Sequence, residues 1–290
     1  MVESPHETLP LRPRIALICH EDEPLNRDGL ARWLNSFGDL VGIVELHEGR
    51  DRKWQRVRRE VKRVGPLRFL DVLAFRAYSK IFLSSADAAW ERRQLCRLRL
   101  RFPASLDHVP VLPTDSPNGE DVESFLQFCE PTLVIARCKT LLKERIFSIP
   151  TRGTYVMHPG ICPQYRNAHG CFWAMAEDDL HNVGMTLLKI DRGVDTGPVY
   201  GFYRCPFNPV MESHHVIQDK VVLENLKPLA AKFQEIATGA AQPIATAGHD
   251  SRTWGQPWLS AYLNYRHREQ QRASVGAGAC RPGLLSTTPS

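Results

Sequence analysis

Along this chain, short continuous apolar runs alternate with stretches in which apolar residues recur every three or four positions. Residues 14–19 (Arg14-Ile15-Ala16-Leu17-Ile18-Cys19) read as a buried strand. Residues 26–35, with Leu30, Trp33 and Leu34 at helical spacing, read as a helix. Residues 40–46 read as a second strand after the Gly38-Asp39 turn. Two strands separated by a helix imply parallel pairing through a crossover. From Arg50 to about Phe102 the period becomes helical, broken at Gly65-Pro66, so this segment predicts an insertion between sheet elements.

The alternation then resumes. Strands are expected over 109–112, 131–136 and 154–157, with helices over 120–129 and 141–147. Asn118 is placed to cap the first of these helices, ahead of Glu120 and Asp121. A helix over 171–177 precedes two strands, 184–190 and 199–203, joined by a Gly-rich turn. Residues 213–238 predict a helix that Pro228 kinks or divides. Beyond Trp258 the pattern fades, and residues 274–290 have the composition of a loose tail. The pattern describes an α/β protein, with a Rossmann-like, mostly parallel sheet, a terminal antiparallel hairpin and a basic helical insertion. The expected organisation is one domain over 14–250, containing the insertion at 50–102, then a C-terminal extension over 251–290.

Composition narrows the picture. With 290 residues, 43% of them hydrophobic and 24% charged, the chain can bury a sizeable core. No run approaches the roughly 18 apolar residues of a membrane span, and the polar N-terminus lacks the plan of a secretory signal. The expected compartment is the cytoplasm. Eight cysteines show no two-residue spacing and read as small core residues. Charge is uneven. Residues 50–101 hold sixteen Lys or Arg against five acids, while the whole chain carries only +5. Such a segment attracts a phosphorylated acceptor or nucleic acid, or it is the solvated face of amphipathic helices. No nucleic-acid-binding motif accompanies it, which favours the second reading.

Two residues stand where chemistry is expected. Ligands of open α/β sheets bind at the carboxyl ends of strands, and His158 ends a strand at His158-Pro159-Gly160. Histidine titrates near neutral pH, which suits proton transfer, although a histidine at a turn can also be purely structural. Asp195 lies in the tight connection Asp191-Arg192-Gly193-Val194-Asp195-Thr196-Gly197-Pro198. Its carboxylate is suited to orienting a histidine or collecting a proton; an ordinary turn explains it equally well. No Gly-x-Gly-x-x-Gly follows the first strand, so no nicotinamide site is expected. No metal is expected either, because the adjacent His214 and His215 would point about 100° apart on a helix.

Taken together, His158-Pro159-Gly160-Ile161-Cys162-Pro163-Gln164-Tyr165-Arg166, Gly184-Met185-Thr186-Leu187 and residues 191–199 resemble the formyltransferase family. That family includes glycinamide ribonucleotide, methionyl-tRNA and sugar-nucleotide enzymes. The likeness covers about 109–206 well and 14–46 loosely. It implies the formyltransferase fold and the donor 10-formyltetrahydrofolate, whose formyl group passes to an amine through a tetrahedral oxyanion. By the same resemblance His158 and Asp195 are catalytic and Thr186 is the family's residue after the glycine. Lys139, Thr140, Leu141 and Leu142 match the pterin loop, and Asp191 joins the cofactor-binding set. A small amine, phosphorylated or nucleotide-linked, is favoured over tRNA as acceptor, since residues from 213 onward read as helix and tail rather than a barrel.

One position departs from the pattern. The family's oxyanion-binding Asn, two residues before the His, is Val156. Losing such a donor costs about 100- to 1000-fold in rate. Either Asn167 or a backbone N–H substitutes, or the reaction is a related one-carbon or carbamoyl transfer or hydrolysis, or the fold is kept as a non-catalytic binding module. Asn167 is equally suited to a left-handed turn.

Overall fold

The computed structural model describes residues 12–47, 57, 58 and 60–279. Seven strands form the main sheet: β1 (Arg14–His20), β2 (Asp39–Leu46), β3 (Val111–Thr114), β4 (Leu133–Arg137), β5 (Gly153–Pro159), β7 (Met185–Lys189) and β8 (Val199–Tyr203). Their order is β3-β2-β1-β4-β5-β7-β8. The first five are parallel; β7 runs antiparallel to β5, and β8 to β7. A separate parallel pair joins β6 (Arg166–Asn167) to β9 (Thr253–Trp254).

Side chains alternate across the sheet, so each strand feeds two cores. On one face, Ile15, Leu17, Tyr155 and Met157 pack with Trp33 and Leu34 of α1 (Ala31–Phe37) and with Leu229 and Phe233 of α8 (Leu226–Thr238). On the other, Ala16, Ile18, Val134 and Ala136 pack with Val122 and Leu126 of α4 (Glu120–Cys129) and Ile146 of α5 (Glu144–Phe147). Burial on both faces is why these strands read as continuous apolar runs.

The insertion is helical as expected. Gly65, at φ 81°, separates residues 60–64 from α2 (Pro66–Tyr78), a π turn at Ser79–Leu83 and α3 (Ser84–Arg101). Residues 50–56 and 59 lie outside the described residues. Leu67, Leu70, Ile81 and Phe82 stay exposed.

Three local expectations are corrected and one holds. The helix expected over 213–238 is divided just ahead of Pro228: α7 (His214–Glu224) ends at Asn225 and α8 begins at Leu226, because Pro228 has no N–H for the Glu224 carbonyl and its ring crowds that carbonyl, whereas in the first turn of α8 the missing N–H costs nothing. Asn118 does not cap α4, whose N-cap is Gly119; its amide instead holds Leu141 O at 2.9 Å and Lys143 N at 2.6 Å. The helix expected over 141–147 is only α5, because 138–143 is loop. Finally, the chain beyond Trp258 does not fade into a tail. It forms α9 (Leu259–Ala279), whose Tyr262 and Tyr265 are buried with Phe75 of α2 and Phe172 of α6 (Gly170–Ala176). Residues 280–290, the remainder of the expected tail, lie outside the described residues.

Candidate active site

Burial of both neighbouring strands places the end of β5 deep in the molecule. His158 is 3% exposed, and its register partner on β7 is Thr186. The turn after His158 is built by a close approach of two glycines. A Cβ on Gly160 (φ 141°) would lie 2.8 Å from Gly170 Cα, and one on Gly170 would lie 2.4 Å from Pro159 O. Only glycine permits that contact, and it brings Tyr165 back over the strand end. Tyr165 O then lies 2.8 Å from His158 Nε2.

A carbonyl only accepts, so neutral His158 carries its proton on Nε2 and turns the Nδ1 lone pair toward Asp195, whose Oδ2 is 3.4 Å away. Asp195 is held there from two sides. It adopts the left-handed conformation (φ 51°), and its carboxylate accepts the Asn167 backbone N–H at 2.7 Å. Arg166 donates to Val194 O at 3.1 Å, tying the same loop down. When the ring is protonated, both nitrogens face acceptors.

Thr186 is fully buried. Its hydroxyl donates to Gly160 O (2.7 Å) and accepts from Cys162 N (2.9 Å), so it fixes the turn that follows His158. Asn167 takes the left-handed conformation (φ 81°), and its amide donates to Trp254 O. That bond joins β6 to β9 and uses one of the amide's two N–H groups. Val156 lies two residues before His158 on the same face of β5, half-buried against Cys162, Leu188, Val199 and Phe202. The face agrees with the sequence reading, and the surroundings there are apolar.

The loop expected to cradle a pterin follows β4, the strand beside β5. It is braced from behind by Asn118 and by His20, whose Nε2 accepts Lys139 N at 3.2 Å. Lys139 Nζ pairs with Glu23 at 2.7 Å, Thr140 O accepts the Cys138 thiol at 3.4 Å, Leu142 is buried and Leu141 is 65% exposed. Asp191 closes its own turn, accepting Gly193 N (2.9 Å) and Thr196 Oγ1 (2.9 Å).

Sequence reasoning missed a charged group beside this site. Arg137, at the end of β4, donates to Met157 O (2.9 Å) and to Asn26 Oδ1 (3.1 Å), and lies 3.7 Å from Asp219 on α7. Burial pushes the Asp219 carboxyl up to about 6 against the pull of Arg137, with Glu91, Glu23 and Asp87 adding to the rise. The strand-end argument used for His158 would have found His20 and Arg137, since both end strands of the same sheet. The seven described cysteines are free thiols; Cys280 lies outside the described residues. Burial pushes Cys19 up to about 12 and Cys138 up to about 11, which fits inert core residues.

The expected divergence of His214 and His215 is not what the structure shows. Their ring centroids are 4.0 Å apart, and His169 approaches to 5.6 and 5.9 Å. At the start of a helix, the side chains are not yet confined by a preceding turn. Burial drives the pKa of His169 down to about 3 and that of His214 well below the ordinary histidine value.

No family model matches the chain. It is similar to the methionyl-tRNA formyltransferase of Thermus thermophilus, 26% identical over 207 residues, which cover 63% of this chain and 68% of that protein. It is also similar to the methionyl-tRNA formyltransferase of Sorangium cellulosum, 34% identical over 127 residues, or 41% of this chain and 40% of that one. Among solved structures, glycinamide ribonucleotide transformylase 1 from Symbiobacterium toebii superposes with a TM-score of 0.50 at 13% identity, covering 79% of this chain and 89% of the other. A likely sugar N-formyltransferase from Mycobacterium tuberculosis gives 0.51 at 12% identity, covering 89% and 87%. At these identities the solved structures speak for the fold. No described helix is long and apolar enough to cross a membrane.

Proposed function

We propose that this chain, which belongs to the formyltransferase family, transfers a formyl group from 10-formyltetrahydrofolate to the amine of a small phosphorylated or nucleotide-linked acceptor. The observation that carries the reading is the buried His158–Asp195 pair at the end of β5. The acceptor nitrogen attacks the formyl carbon, the new C–N bond forms and the carbonyl electrons move to oxygen. Collapse breaks the bond to the donor nitrogen, and the proton lost by the acceptor passes to that nitrogen. Asp195 and the Nδ1 of His158 are the groups that hold this proton in transit. Protonated His158 is then the positive charge that lowers the energy of the oxyanion.

The loop of Lys139, Thr140, Leu141 and Leu142 supports a folate. Its backbone is fixed from behind while Leu141 leaves apolar surface for a flat ring. Lys139 and Arg137, at the end of β4 beside β5, are the cations that an anionic acceptor would meet. The basic insertion supports the same class of acceptor more weakly, since its charge is only generally attractive.

Full-length protein incubated with 10-formyltetrahydrofolate and a panel of amino sugars, sugar nucleotides, aminoribonucleotides and amino acids should release tetrahydrofolate. It should also yield one product heavier by a formyl group. Release without a product would mark hydrolysis, and neither would remove the reading. A binding module without catalysis is favoured by two specific observations: Val156 offers no donor, and both ring nitrogens of His158 face protein acceptors. In that case the protein should be stabilised against heat by reduced folate yet form no product. Val156→Asn should then introduce measurable transfer, whereas it should not raise turnover in an active enzyme whose oxyanion donors come from elsewhere.

A further inference from the structure

Three imidazoles converge outside the His158–Asp195 pair, and they come from two elements distant in sequence. His169 precedes α6, while His214 and His215 open α7. One nitrogen from each lies within 4.8 Å of the other two. Three points that close share a centre within about 3 Å. A displacement of roughly 1 Å per ring would bring each to the 2.0–2.1 Å of a zinc–imidazole bond.

Packing alone leaves this cluster unsatisfied. His214 is wholly buried, between Phe75 and Phe172, and neither of its ring nitrogens has a hydrogen-bond partner among the described residues. His169 Nδ1 is buried without a partner among them as well. A neutral imidazole always carries one N–H and one lone pair, so burying it unpaired costs free energy that an apolar ring of the same shape would not. Aromatic packing explains why a ring sits at position 214. It does not explain why the ring is histidine, nor why two more histidines face it.

We infer that His169, His214 and His215 form a site for a divalent transition-metal ion of the zinc class. Three imidazoles with one position left over suit zinc, copper, nickel or ferrous iron far better than the hard, oxygen-seeking calcium or magnesium. The surrounding charge is mixed. Asp87 favours a cation at His215, whereas Lys139 opposes one there and, with Arg76, at His169. The N-termini of α6 and α7 also carry partial positive charge. Bonds from three neutral nitrogens to the ion must outweigh these terms, and such bonds ordinarily do.

The site would have a structural consequence for the neighbouring chemistry. His169 is two residues from Asn167, whose backbone N–H holds Asp195. An ion joining His169 to α7 would therefore pin the loop that presents Asp195 to His158.

The test uses the full-length protein, stripped with a chelator and dialysed. Titration with cobalt(II) alone should give a visible absorption band that saturates at one equivalent and is abolished by zinc. Zinc alone should raise the melting temperature in a concentration-dependent way, because it binds only the folded form. His169→Ala and His215→Ala should each abolish the band. His214→Phe replaces the buried orphan with an apolar ring that needs no partner. It should abolish the band while leaving the metal-free melting temperature unchanged or higher, which separates loss of a ligand from loss of folding. No cobalt band and no zinc-dependent shift in the wild-type protein would overturn the inference, showing the rings to be packed side chains only. So would cobalt binding that survives all three substitutions.

Discussion

Between Gly153 and Tyr203 the groups around His158 are bound by other groups of the protein. Its Nε2 faces a carbonyl, Asp195 accepts a backbone N–H, and the Thr186 hydroxyl both donates and accepts. Along α2 and α3 the opposite holds. Many of the basic side chains face solvent, and large apolar residues such as Leu67 and Leu100 are exposed beside them. The two regions are joined to the same sheet, yet one is constrained at atomic level and the other only at a few anchors. Constraint of the first kind fixes both residue type and spacing, which is why a motif can be read there. A solvated helix needs only a period and a charge, so many sequences serve, and its purpose leaves little trace.

The largest expected difference between the regions is in turnover. If formyl transfer is established, His158→Ala and Asp195→Asn should each lower kcat/KM by about 100- to 10,000-fold, the range of a positioned acid–base group. Both proteins should keep native circular dichroism. Neutralising Arg92, Arg93 and Arg97 together should leave kcat within about twofold, since surface changes of this kind shift energies by about 0.5 kcal/mol or less. Full activity in His158→Ala would remove the site assignment. A large loss in the charge-neutralised protein would make the insertion part of substrate binding, and its salt dependence would then show whether a polyanion is recruited.

Stability should separate the regions next. Thr186→Val keeps the shape of a wholly buried side chain but deletes the hydroxyl shared by Gly160 O and Cys162 N. Leaving both unpaired should cost about 1–3 kcal/mol in denaturant-induced unfolding. A loss of activity without that loss of stability would assign Thr186 a direct chemical part instead of a role in fixing the turn.

These contrasts also explain what the sequence disclosed. The buried strands were legible because burial on both faces demands unbroken apolar runs, and the strand end at His158 was legible because Pro159-Gly160 stops the run. Helix α9 was not, because what buries Tyr262 and Tyr265 is Phe75 and Phe172, far away along the chain. Asn118 carried the signature of a cap but serves the 138–143 loop, a choice made by tertiary contact. The partnership of His169 with His214 and His215 spans more than forty residues, and spacing rules for metal ligands within one helix could not find it.

The smallest expected effect concerns one of the few anchors of the insertion. Asp28, in the π turn Leu25–Leu30, is hydrogen-bonded by Arg32 Nε (2.5 Å) and by Arg99 Nε of α3 (2.6 Å). Burial by itself would raise the Asp28 pKa, but the two guanidinium groups outweigh it and hold the carboxyl below the usual range. A folded-state pKa below the unfolded value of about 3.9 means that the folded protein binds the proton less readily than the unfolded chain. The stabilisation is therefore complete above about pH 4 and is lost as pH falls through the folded value. At pH 7, Asp28→Asn should cost about 1 kcal/mol or less, because the Arg99 side chain is 57% exposed and its pairing is screened by water. Between pH 4 and the acid limit the wild-type protein should lose stability faster than Asp28→Asn, so the gap between the two should narrow. Unfolding curves of both proteins across this range measure the difference directly, and other carboxylates cancel in the comparison. A gap that stays constant down to the lowest pH would mean that Asp28 is not held as an anion by Arg32 and Arg99, and that α3 is secured to the first layer by packing alone.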